Sequence, residues 1–349
     1  MGKALIRPRR LRRGDTVAAV SLSSGMMGDP QFIHRYEIAR ERLEGDFGLR
    51  LVPMPHALSG SRFIEENPAL RAQDLMDAFR DPSIAAVFSA IGGDDTIRLL
   101  PYIDFDVLRR NPKIFMGYSD TTVNHLMLWK AGVASFYGPS LLAEFGEYGE
   151  MFPYTKRAVA DLLFSAPAQY PLLPAPEWTD DWIPWEEKNR DIRYRMKPDT
   201  HGYEVISGAG KVRGRLLGGC IDVFPMAVGT AVWPPLCDWE GAVLFIETSE
   251  DKPGPEWICY ILRGLAAQGI LGAVSGILVG KPLGEVYYEE YKKEIIRVVV
   301  DEEHRPELPV FYNVNFGHAK PIGVLPYGVL TELDCEERSI TFLECPTAG

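Results

Sequence analysis

The sequence predicts an α/β protein of two domains, the first of which is built on a doubly wound parallel sheet. A chain of 349 residues has the length of roughly two domains of ordinary size. Residues 1–165 alternate apolar, strand-like runs with amphipathic helical patterns, as in a parallel sheet covered by helices. A proline-rich stretch, residues 166–205, then separates this region from a second set of strands at 206–349.

In the N-terminal region, predicted strands alternate with helices that carry apolar residues at i, i+3 and i+4 spacing. The carboxyl ends of such parallel strands meet at one edge of the sheet, where ligands bind. Functional residues are therefore expected at strand ends. The predicted strands are 16–24, 49–53, 85–91 and 114–116, and the predicted helices are 30–47, 67–79, one that starts near Asp95 and one that starts after Asp120.

Residues 166–205 are predicted to form a linker with an ordered aromatic loop. Trp178, Trp182 and Trp185 lie close together in this stretch. Their indole rings either pin a long loop to the core or offer a flat surface to a ligand. Long regular elements are ruled out by six prolines, which are Pro167, Pro171, Pro174, Pro176, Pro184 and Pro198.

The region 206–349 is predicted to be a second α/β domain that is rich in strands. Its apolar runs are short and are separated by only three helical patterns. The predicted strands are 211–217, 242–247, 276–279, 310–313, 329–333 and 339–343, and the predicted helices are 221–228, 256–268 and 288–301.

The composition excludes several classes of protein. An apolar content of 46% and a charged content of 24% are those of a globular protein. The net charge of −11, despite a basic stretch at Arg7–Arg13, argues against binding to a phosphate backbone. Apolar runs fall short of the ~20 residues of a membrane helix, and residues 1–25 imitate a signal peptide only weakly. We expect a cytoplasmic protein that binds neither nucleic acid nor a membrane.

The cysteines and histidines do not indicate a metal site. No C-x-x-C pair and no H-E-x-x-H motif is present, and the six histidines do not cluster in the sequence. Reduced core thiols are expected rather than a disulfide framework or a zinc ribbon. The five scattered cysteines are Cys220, Cys237, Cys259, Cys335 and Cys345.

The turn around Ser119 carries the strongest chemical signal. The apolar run 114–116 stops at Gly117, and a helical pattern begins just after Asp120. This is the order of a nucleophile elbow, in which a tight turn exposes a serine hydroxyl at a helix N-terminus. The usual G-x-S-x-G motif has a second glycine where this chain has Thr121. Ser119 is therefore either a nucleophile or a helix cap.

A second turn, Gly92-Gly93-Asp94-Asp95, closes a predicted strand and opens a helix. Backbone N–H groups in such a turn bind an anion or an oxyanion. Neither the G-x-G-x-x-G nor the Walker pattern is present, so a phosphate site is only weakly indicated. The turn is either structural or part of an oxyanion hole.

Two further polar residues follow apolar strands. Glu247 ends the run Val243-Leu-Phe-Ile-Glu247, where a carboxylate either caps a helix or orients an imidazole. His318 lies after a strand, on a loop rich in glycine and proline, a setting that suits either proton transfer or turn packing. His125, just past the elbow, is expected to pack in the core.

Together, Ser119, Glu247 and His318 provide a nucleophile, an acid and a base. His318 would remove the Ser119 proton during attack on a carbonyl and pass it to the leaving group. Glu247 would fix the imidazole tautomer and stabilise the imidazolium. The amide N–H groups of Gly93 and Asp120 would bind the oxyanion. The pattern predicts a serine hydrolase.

At these residues the chain resembles the LD-carboxypeptidase family of serine peptidases. Each motif is weak alone, but the set follows the family's order and covers nearly the whole chain. One departure is Cys220, where many members have asparagine after the glycine pair. The matching motifs are Gly92-Gly93-Asp94-Asp95, Gly117-Tyr-Ser-Asp-Thr-Thr122, Gly214-Arg-Leu-Leu-Gly-Gly219, Leu244-Phe-Ile-Glu247, Asn315-Phe-Gly-His318 and Leu325-Pro-Tyr-Gly328.

The resemblance implies a Rossmann-like or flavodoxin-like N-terminal domain, a β-rich C-terminal domain and an active site between them. It also implies that Ser119, Glu247 and His318 form a triad that needs no metal and no cofactor. Members commonly form homodimers, so a homodimer is expected here.

The family divides by substrate. LD-carboxypeptidases proper remove terminal D-alanine from a murein tetrapeptide, whereas the microcin C self-immunity branch cleaves the amide between an aminoacyl or peptidyl group and a nucleotide-like moiety. The segments Ala175–Trp185 and Glu247–Lys252 resemble the second branch. Trp182 and Trp185 are the predicted substrate contacts, because stacking of an indole on a base contributes roughly 1–3 kcal/mol.

We therefore expect an amidohydrolase of the microcin-immunity type that acts on an aminoacyl-nucleotide or a small peptide. A murein LD-carboxypeptidase is the first alternative. A non-catalytic two-domain protein that binds a small ligand is an alternative of another class. It is disfavoured because a binding protein has no need of serine, glutamate and histidine at three strand ends.

Overall fold

The computed structural model describes residues 3–349 and divides into two compact units. The segment 166–205 contributes to both of them, and the predicted domain boundaries at 165 and 205 stay a prediction. The N-terminal unit comprises residues 5–166, 181–195 and 346–349, and the C-terminal unit comprises residues 3–4, 167–180 and 196–345.

Parallel strands form the sheet of the N-terminal unit. They are β1 (Thr16–Val20), β2 (Arg50–Pro53), β3 (Ile84–Ser89), β4 (Ile114–Gly117) and β5 (Phe136–Tyr137). Their order across the sheet is β5-β4-β3-β1-β2. Every residue of β1, β3 and β4 is buried, as expected for strands covered on both faces. The predicted parallel sheet is confirmed.

The helices of this unit follow the predicted pattern, with one exception after Asp95. Pro101 interrupts that segment, which forms a 3₁₀ helix because proline cannot continue the α-helical hydrogen-bond ladder. Gly48 and Gly132 end two of the α-helices in the left-handed conformation. The α-helices are α1 (Ile33–Phe47), α2 (Ser61–Glu66), α3 (Pro68–Arg80), α4 (Phe105–Arg110), α5 (Thr122–Ala131) and α6 (Pro153–Ala160); 3₁₀ helices cover Met26–Gly28, Thr96–Tyr102, Ser119–Thr121 and Glu187–Asn189, and π-helical turns cover Leu141–Phe145 and Asp161–Ser165.

The C-terminal unit is built on an eight-stranded mixed sheet. Its strands and the remaining short ones are β6 (Tyr170–Leu172), β7 (Glu177–Trp178), β8 (Lys197–Pro198), β9 (Glu204–Ser207), β10 (Lys211–Cys220), β11 (Val243–Glu247), β12 (Gly276–Gly280), β13 (Val310–Val314), β14 (Leu325–Pro326), β15 (Leu330–Asp334) and β16 (Ser339–Phe342). Four parallel strands, β10 to β13, lie at the centre. On one side, β15 pairs with β10 in the antiparallel direction and is followed by β16 and β6. On the other side, β9 pairs with β13 in the antiparallel direction.

Strand β10 is longer than predicted because two glycines continue its pairing. Gly218 and Gly219 lie opposite Phe245 and Ile246 of β11. A Cβ atom at Gly218 would lie 1.8 Å from the Phe245 carbonyl oxygen, so only glycine permits this close approach. The extension carries Cys220 to the position opposite Glu247.

The helices of the C-terminal unit match the predictions at their centres. The segment near residue 221 is a 3₁₀ turn that runs into a single short α-helix. Among residues 3–349, no helix combines the length and the apolar character that a membrane span requires. The α-helices are α7 (Phe224–Ala227), α8 (Leu236–Trp239), α9 (Pro255–Ala267), α10 (Ile270–Ala273) and α11 (Tyr288–Ile296); 3₁₀ helices cover Ile221–Val223 and Leu283–Glu285, and a π-helical turn covers Arg297–Glu302.

Candidate active site

Ser119 lies in a strained turn between β4 and α5. Its φ angle is +64°, a left-handed conformation that costs a non-glycine residue free energy and is concentrated at functional sites. A Cβ atom at Gly117 would lie 2.9 Å from the Ser89 Cβ atom and 3.0 Å from the Thr121 hydroxyl oxygen. Glycine is therefore required where the strand ends. The geometry is that of a nucleophile elbow.

Hydrogen bonds from neighbouring residues hold this turn in place. The Ser119 N–H donates to the Tyr137 hydroxyl at 3.1 Å. His125 Nε2–H donates to the Gly117 carbonyl at 2.9 Å, and the Ser135 hydroxyl lies 2.8 Å from Nδ1. Burial lowers the pKa of His125 to about 3, so its imidazole is neutral. The packing role predicted for His125 agrees with these contacts.

The Gly92-Gly93 turn lies directly against the elbow. A Cβ atom at Gly92 would be 2.8 Å from both Cβ and Oγ of Ser119, and one at Gly93, whose φ is +140°, would be 2.4 Å from the Ser23 hydroxyl. The Asp120 carboxylate accepts hydrogen bonds from the N–H groups of Asp95 and Thr96, at 3.1 and 2.9 Å. These hydrogen bonds connect Asp95 and Thr96, at the end of the glycine turn, to the elbow.

Asp120 also presents a main-chain donor beside Ser119. It is the second residue of the 3₁₀ segment Ser119–Thr121, a position where the amide N–H has no acceptor within the helix. The same nitrogen would lie 3.4 Å from a Cβ atom at Gly92. The glycine turn thus lies against the Ser119 hydroxyl and the main-chain nitrogen of Asp120.

In the C-terminal unit, Glu247 and His318 form a buried pair. His318 Nδ1 lies 2.8 Å from Glu247 Oε2, and the two side chains are 8% and 1% exposed. Gly317 has a φ of +90°, and a Cβ atom there would lie 2.5 Å from Glu247 Oε2. Glycine at that position lets the loop approach the end of β11, so the predicted acid and base are in contact.

The second nitrogen of His318 contacts a residue that the sequence did not single out. Glu250 Oε2 lies 2.9 Å from His318 Nε2, although the Glu250 side chain is 61% exposed. Burial disfavours the imidazolium, but attraction and hydrogen bonding to Glu247 and Glu250 outweigh it and raise the pKa of His318 to about 10. The hydrogen bond from His318 lowers the pKa of Glu250 to about 2.

Cys220, the position that departs from the family pattern, lies beside this pair. It is fully buried and pairs with Glu247 across β10 and β11. Burial and the negative charge of Glu247 raise the pKa of the Cys220 thiol, so the thiol stays protonated and uncharged. Its sulfur lies 3.9 Å from Asp222 Oδ2, a weak S–H hydrogen bond.

The two tryptophans predicted to contact substrate lie in the N-terminal unit and differ in environment. Trp182 is 78% exposed. Trp185 is half-buried, with the Arg35 guanidinium 4.0 Å from its ring centroid and Phe32 at its edge. Arg35 is fixed in turn by the Leu142 carbonyl oxygen, at 2.6 Å. Trp185 is therefore the more rigid platform of the two.

Trp178 belongs to the C-terminal unit and has a structural role. Lys281 Nζ lies 4.2 Å from its ring centroid. Hydrogen bonds on either side of it fasten the segment to the loop that carries His318: Ala175 N–H donates to the Asn315 side chain at 2.8 Å, and Thr179 N–H donates to the Lys320 carbonyl at 3.2 Å.

Comparisons with known proteins assign a family to this arrangement. Residues 17–138 match the N-terminal domain of LD-carboxypeptidases, and residues 213–333 match the C-terminal domain. The chain is 31% identical over 280 residues to the microcin C7 self-immunity protein of Escherichia coli, a match that covers 78% of each chain. It is 28% identical over 339 residues to a probable murein peptide carboxypeptidase of Bacillus subtilis, a match that covers 95% of this chain and 93% of the relative.

Solved structures share the fold over almost the full length. An MccF-like protein from Streptococcus pneumoniae, in complex with AMP, has a TM-score of 0.87 and 35% identity and covers 94% of this chain and 98% of its own. The microcin C7 self-immunity protein in complex with aspartyl sulfamoyl adenosine has a TM-score of 0.84 and 26% identity and covers 98% and 100%. The chain is thus a serine-type peptidase and belongs to the LD-carboxypeptidase family.

Proposed function

We propose that Ser119, Glu247 and His318 act as a catalytic triad in the hydrolysis of an amide. Ser119 Oγ attacks the carbonyl carbon while His318 Nε2 takes its proton, and the imidazolium then protonates the leaving nitrogen. Water hydrolyses the acyl-enzyme by the same steps. Glu247 holds Nδ1–H and stabilises the imidazolium. The observation that carries this proposal is the buried 2.8 Å contact between His318 Nδ1 and Glu247 Oε2.

The main-chain N–H groups of Gly93 and Asp120 are proposed to bind the oxyanion of the tetrahedral intermediate. Support comes from the position of the glycine turn against Ser119 and from the place of Asp120 in the first turn of the 3₁₀ segment. Fixed donors of this kind stabilise the charge that develops on the carbonyl oxygen.

For the substrate, we propose the amide of an aminoacyl- or peptidyl-nucleotide, as in microcin C-like compounds. Trp185 supports this proposal because its ring is held by Arg35 and Phe32 and so offers a fixed stacking surface for a base, with Trp182 as a second, exposed indole. Structures of similar proteins are known in complex with AMP and with aspartyl sulfamoyl adenosine. The second candidate is removal of terminal D-alanine from a murein tetrapeptide, which the similarity to the Bacillus subtilis protein supports.

Mass spectrometry of the products tests both substrates in parallel. Aspartyl sulfamoyl adenosine should yield free aspartate and sulfamoyl adenosine, whereas a murein L,D-tetrapeptide should stay intact. Ser119→Ala should lower the rate by on the order of 10³–10⁶ with an unchanged circular dichroism spectrum. Release of D-alanine alone would establish the murein reaction instead, and full activity of Ser119→Ala would exclude the triad. Labelling of Ser119 by a fluorophosphonate would separate an active enzyme from a silent binding protein.

A further inference from the structure

Glu250 contacts the nitrogen of His318 that the proposed reaction needs. It lies three residues after Glu247, on the loop between β11 and α9, and its carboxylate is 2.9 Å from His318 Nε2. Nδ1 is already engaged by Glu247. In the triad, Nε2 must accept the proton of Ser119, and a nitrogen that donates to a carboxylate cannot do so.

Two carboxylates on one imidazole favour its protonated form. Both ring nitrogens act as donors only when histidine is an imidazolium, and a nearby opposite charge favours that form. Two neighbouring titratable groups do not offset this effect. Cys220 and Tyr327 lie near Glu247, and burial raises the pKa of both, so neither carries a charge at neutral pH.

The loop that carries Glu250 has a fixed backbone and an exposed side chain at its tip. Ser249 N–H donates to Asp222 at 2.7 Å, and Lys252 N–H donates to the Ser249 carbonyl at 3.2 Å. The Pro253 carbonyl accepts from the Tyr291 hydroxyl at 2.5 Å. Because the Glu250 side chain is 61% exposed, rotation about its own bonds is enough to break its contact with Nε2.

We propose that Glu250 is a positioning residue that holds His318 as an imidazolium in the resting enzyme and leaves Nε2 when substrate binds. On its departure the Nε2 proton passes to water, and the neutral imidazole can then accept the proton of Ser119. This inference rests on the proposed role of His318 as the general base. It adds to the proposed reaction a residue that contacts His318.

NMR titration of the His318 imidazole in the Ser119→Ala variant tests the resting contact without any turnover. Adding Glu250→Gln should lower the pKa of His318 by about one pH unit or more, because one of two contacting charges is lost. Asp251→Asn is the matched control, since it removes one charge from the neighbouring exposed residue and should change the pKa of His318 far less. An unchanged titration in Glu250→Gln would overturn the proposal.

The pH profile of kcat/KM tests the consequence for the reaction. The acid limb reports the pKa of the base in the free enzyme, so Glu250→Gln should move this limb to lower pH. Consider pH values well below the pKa of the base in both proteins. There, kcat/KM of the variant should exceed that of the wild type roughly tenfold if the acid limb moves by one pH unit. A fall in kcat/KM at every pH with an unmoved limb would contradict the proposal. If the wild type cleaves neither substrate, the proposed substrates are wrong, and the NMR titration alone decides whether Glu250 controls His318.

Discussion

Ser119 carries backbone strain that glycine would relieve. Its φ of +64° is accessible to glycine at little cost, whereas a residue with a Cβ atom pays a penalty there. We predict that Ser119→Gly unfolds at a higher temperature than Ser119→Ala, by about 0.5–1 kcal/mol in the free energy of unfolding. Both variants lack the hydroxyl and should be inactive.

Thermal unfolding of the two variants under identical conditions measures this difference. Because both changes remove the same Oγ atom, the comparison isolates the backbone term from the loss of side-chain contacts. Equal midpoints, or a less stable glycine variant, would mean that the elbow does not hold strain at this residue. A stabilised but inactive enzyme would show a conformation retained for function at a cost in stability.

The residues at strand ends could be predicted from the sequence because apolar runs mark the strands. Glu247 and His318 each follow such a run, and the structure brings them to 2.8 Å. The contact of Glu250 with His318 could not be predicted in this way. Glu250 is an exposed loop residue, and its contact joins two positions that are far apart in the sequence. No local pattern encodes which carboxylate of a short acidic loop turns back toward a distant imidazole.

At the scale of elements, the loop after β13 depends on Gly317. We predict that Gly317→Ala loses about 1–3 kcal/mol of stability from strain at its φ of +90°. It should also lower kcat by about 100-fold, because the new Cβ atom would lie 2.5 Å from Glu247 Oε2 and must displace the carboxylate that orients His318.

A matched control separates strain from displacement of the carboxylate. Gly14 has a φ of +92°, and a Cβ atom there would meet nothing within 4 Å. Gly14→Ala should therefore show a similar loss of stability in thermal unfolding and a kcat close to that of the wild type. If the two variants lose activity to the same extent, the close approach of Gly317 to Glu247 is not what maintains the pair.

The aromatic loop leads to a prediction about substrate selection. Trp185 is held by Arg35 and Phe32, whereas Trp182 is exposed. A preorganised ring loses less entropy on binding, so Trp185→Ala should raise KM for aspartyl sulfamoyl adenosine by tenfold or more, which corresponds to the ~1–3 kcal/mol of one stacked base. Trp182→Ala should have the smaller effect. Steady-state kinetics of both variants measures the two KM values. A larger rise in KM for Trp182→Ala than for Trp185→Ala would contradict this order.

The proline-rich stretch shows why element prediction was incomplete there. Alternation of apolar strands and amphipathic helices located the longer strands of both sheets to within a few residues, since the periodicity is local, but it missed the short strands β5, β6 and β9. In residues 166–205, strands β6, β7 and β8 contain only two or three residues each, and β7 and β8 pair with each other across an intervening loop. Strand β6 pairs with β16, far along the chain. Such pairing leaves no periodicity in the sequence.

At the scale of the whole molecule, the residues of the proposed triad come from both units. The strained Ser119 and the glycine turn lie in the N-terminal unit, and Glu247 and His318 lie in the C-terminal unit. The order of motifs along the chain therefore reveals the family more reliably than any single motif does. Contacts such as that of Glu250 with His318 become visible only in three dimensions.

The His318 cluster should also govern how stability depends on pH. The pKa of His318 is raised from 6.5 to about 10 in the folded protein. A raised pKa of this kind contributes stability that is fully present below pH 6.5 and is lost as the pH rises through 10. We therefore predict that, as the pH rises from 6.5 to about 10, the thermal unfolding midpoint of the wild type decreases relative to that of His318→Gln.

The difference between the two proteins is the quantity to measure, because other groups titrate in the same range. Burial lowers the pKa of Lys113 to about 8, and a lowered lysine pKa adds stability as the pH rises from 8 toward 10.5. This opposing contribution is common to the wild type and His318→Gln and cancels when their midpoints are subtracted. Thermal unfolding from pH 6.5 to 9.5 should give a difference that shrinks steadily with pH. A constant difference would show that His318 is not held as an imidazolium in the folded protein, and it would remove the physical basis for a resting contact with Glu250.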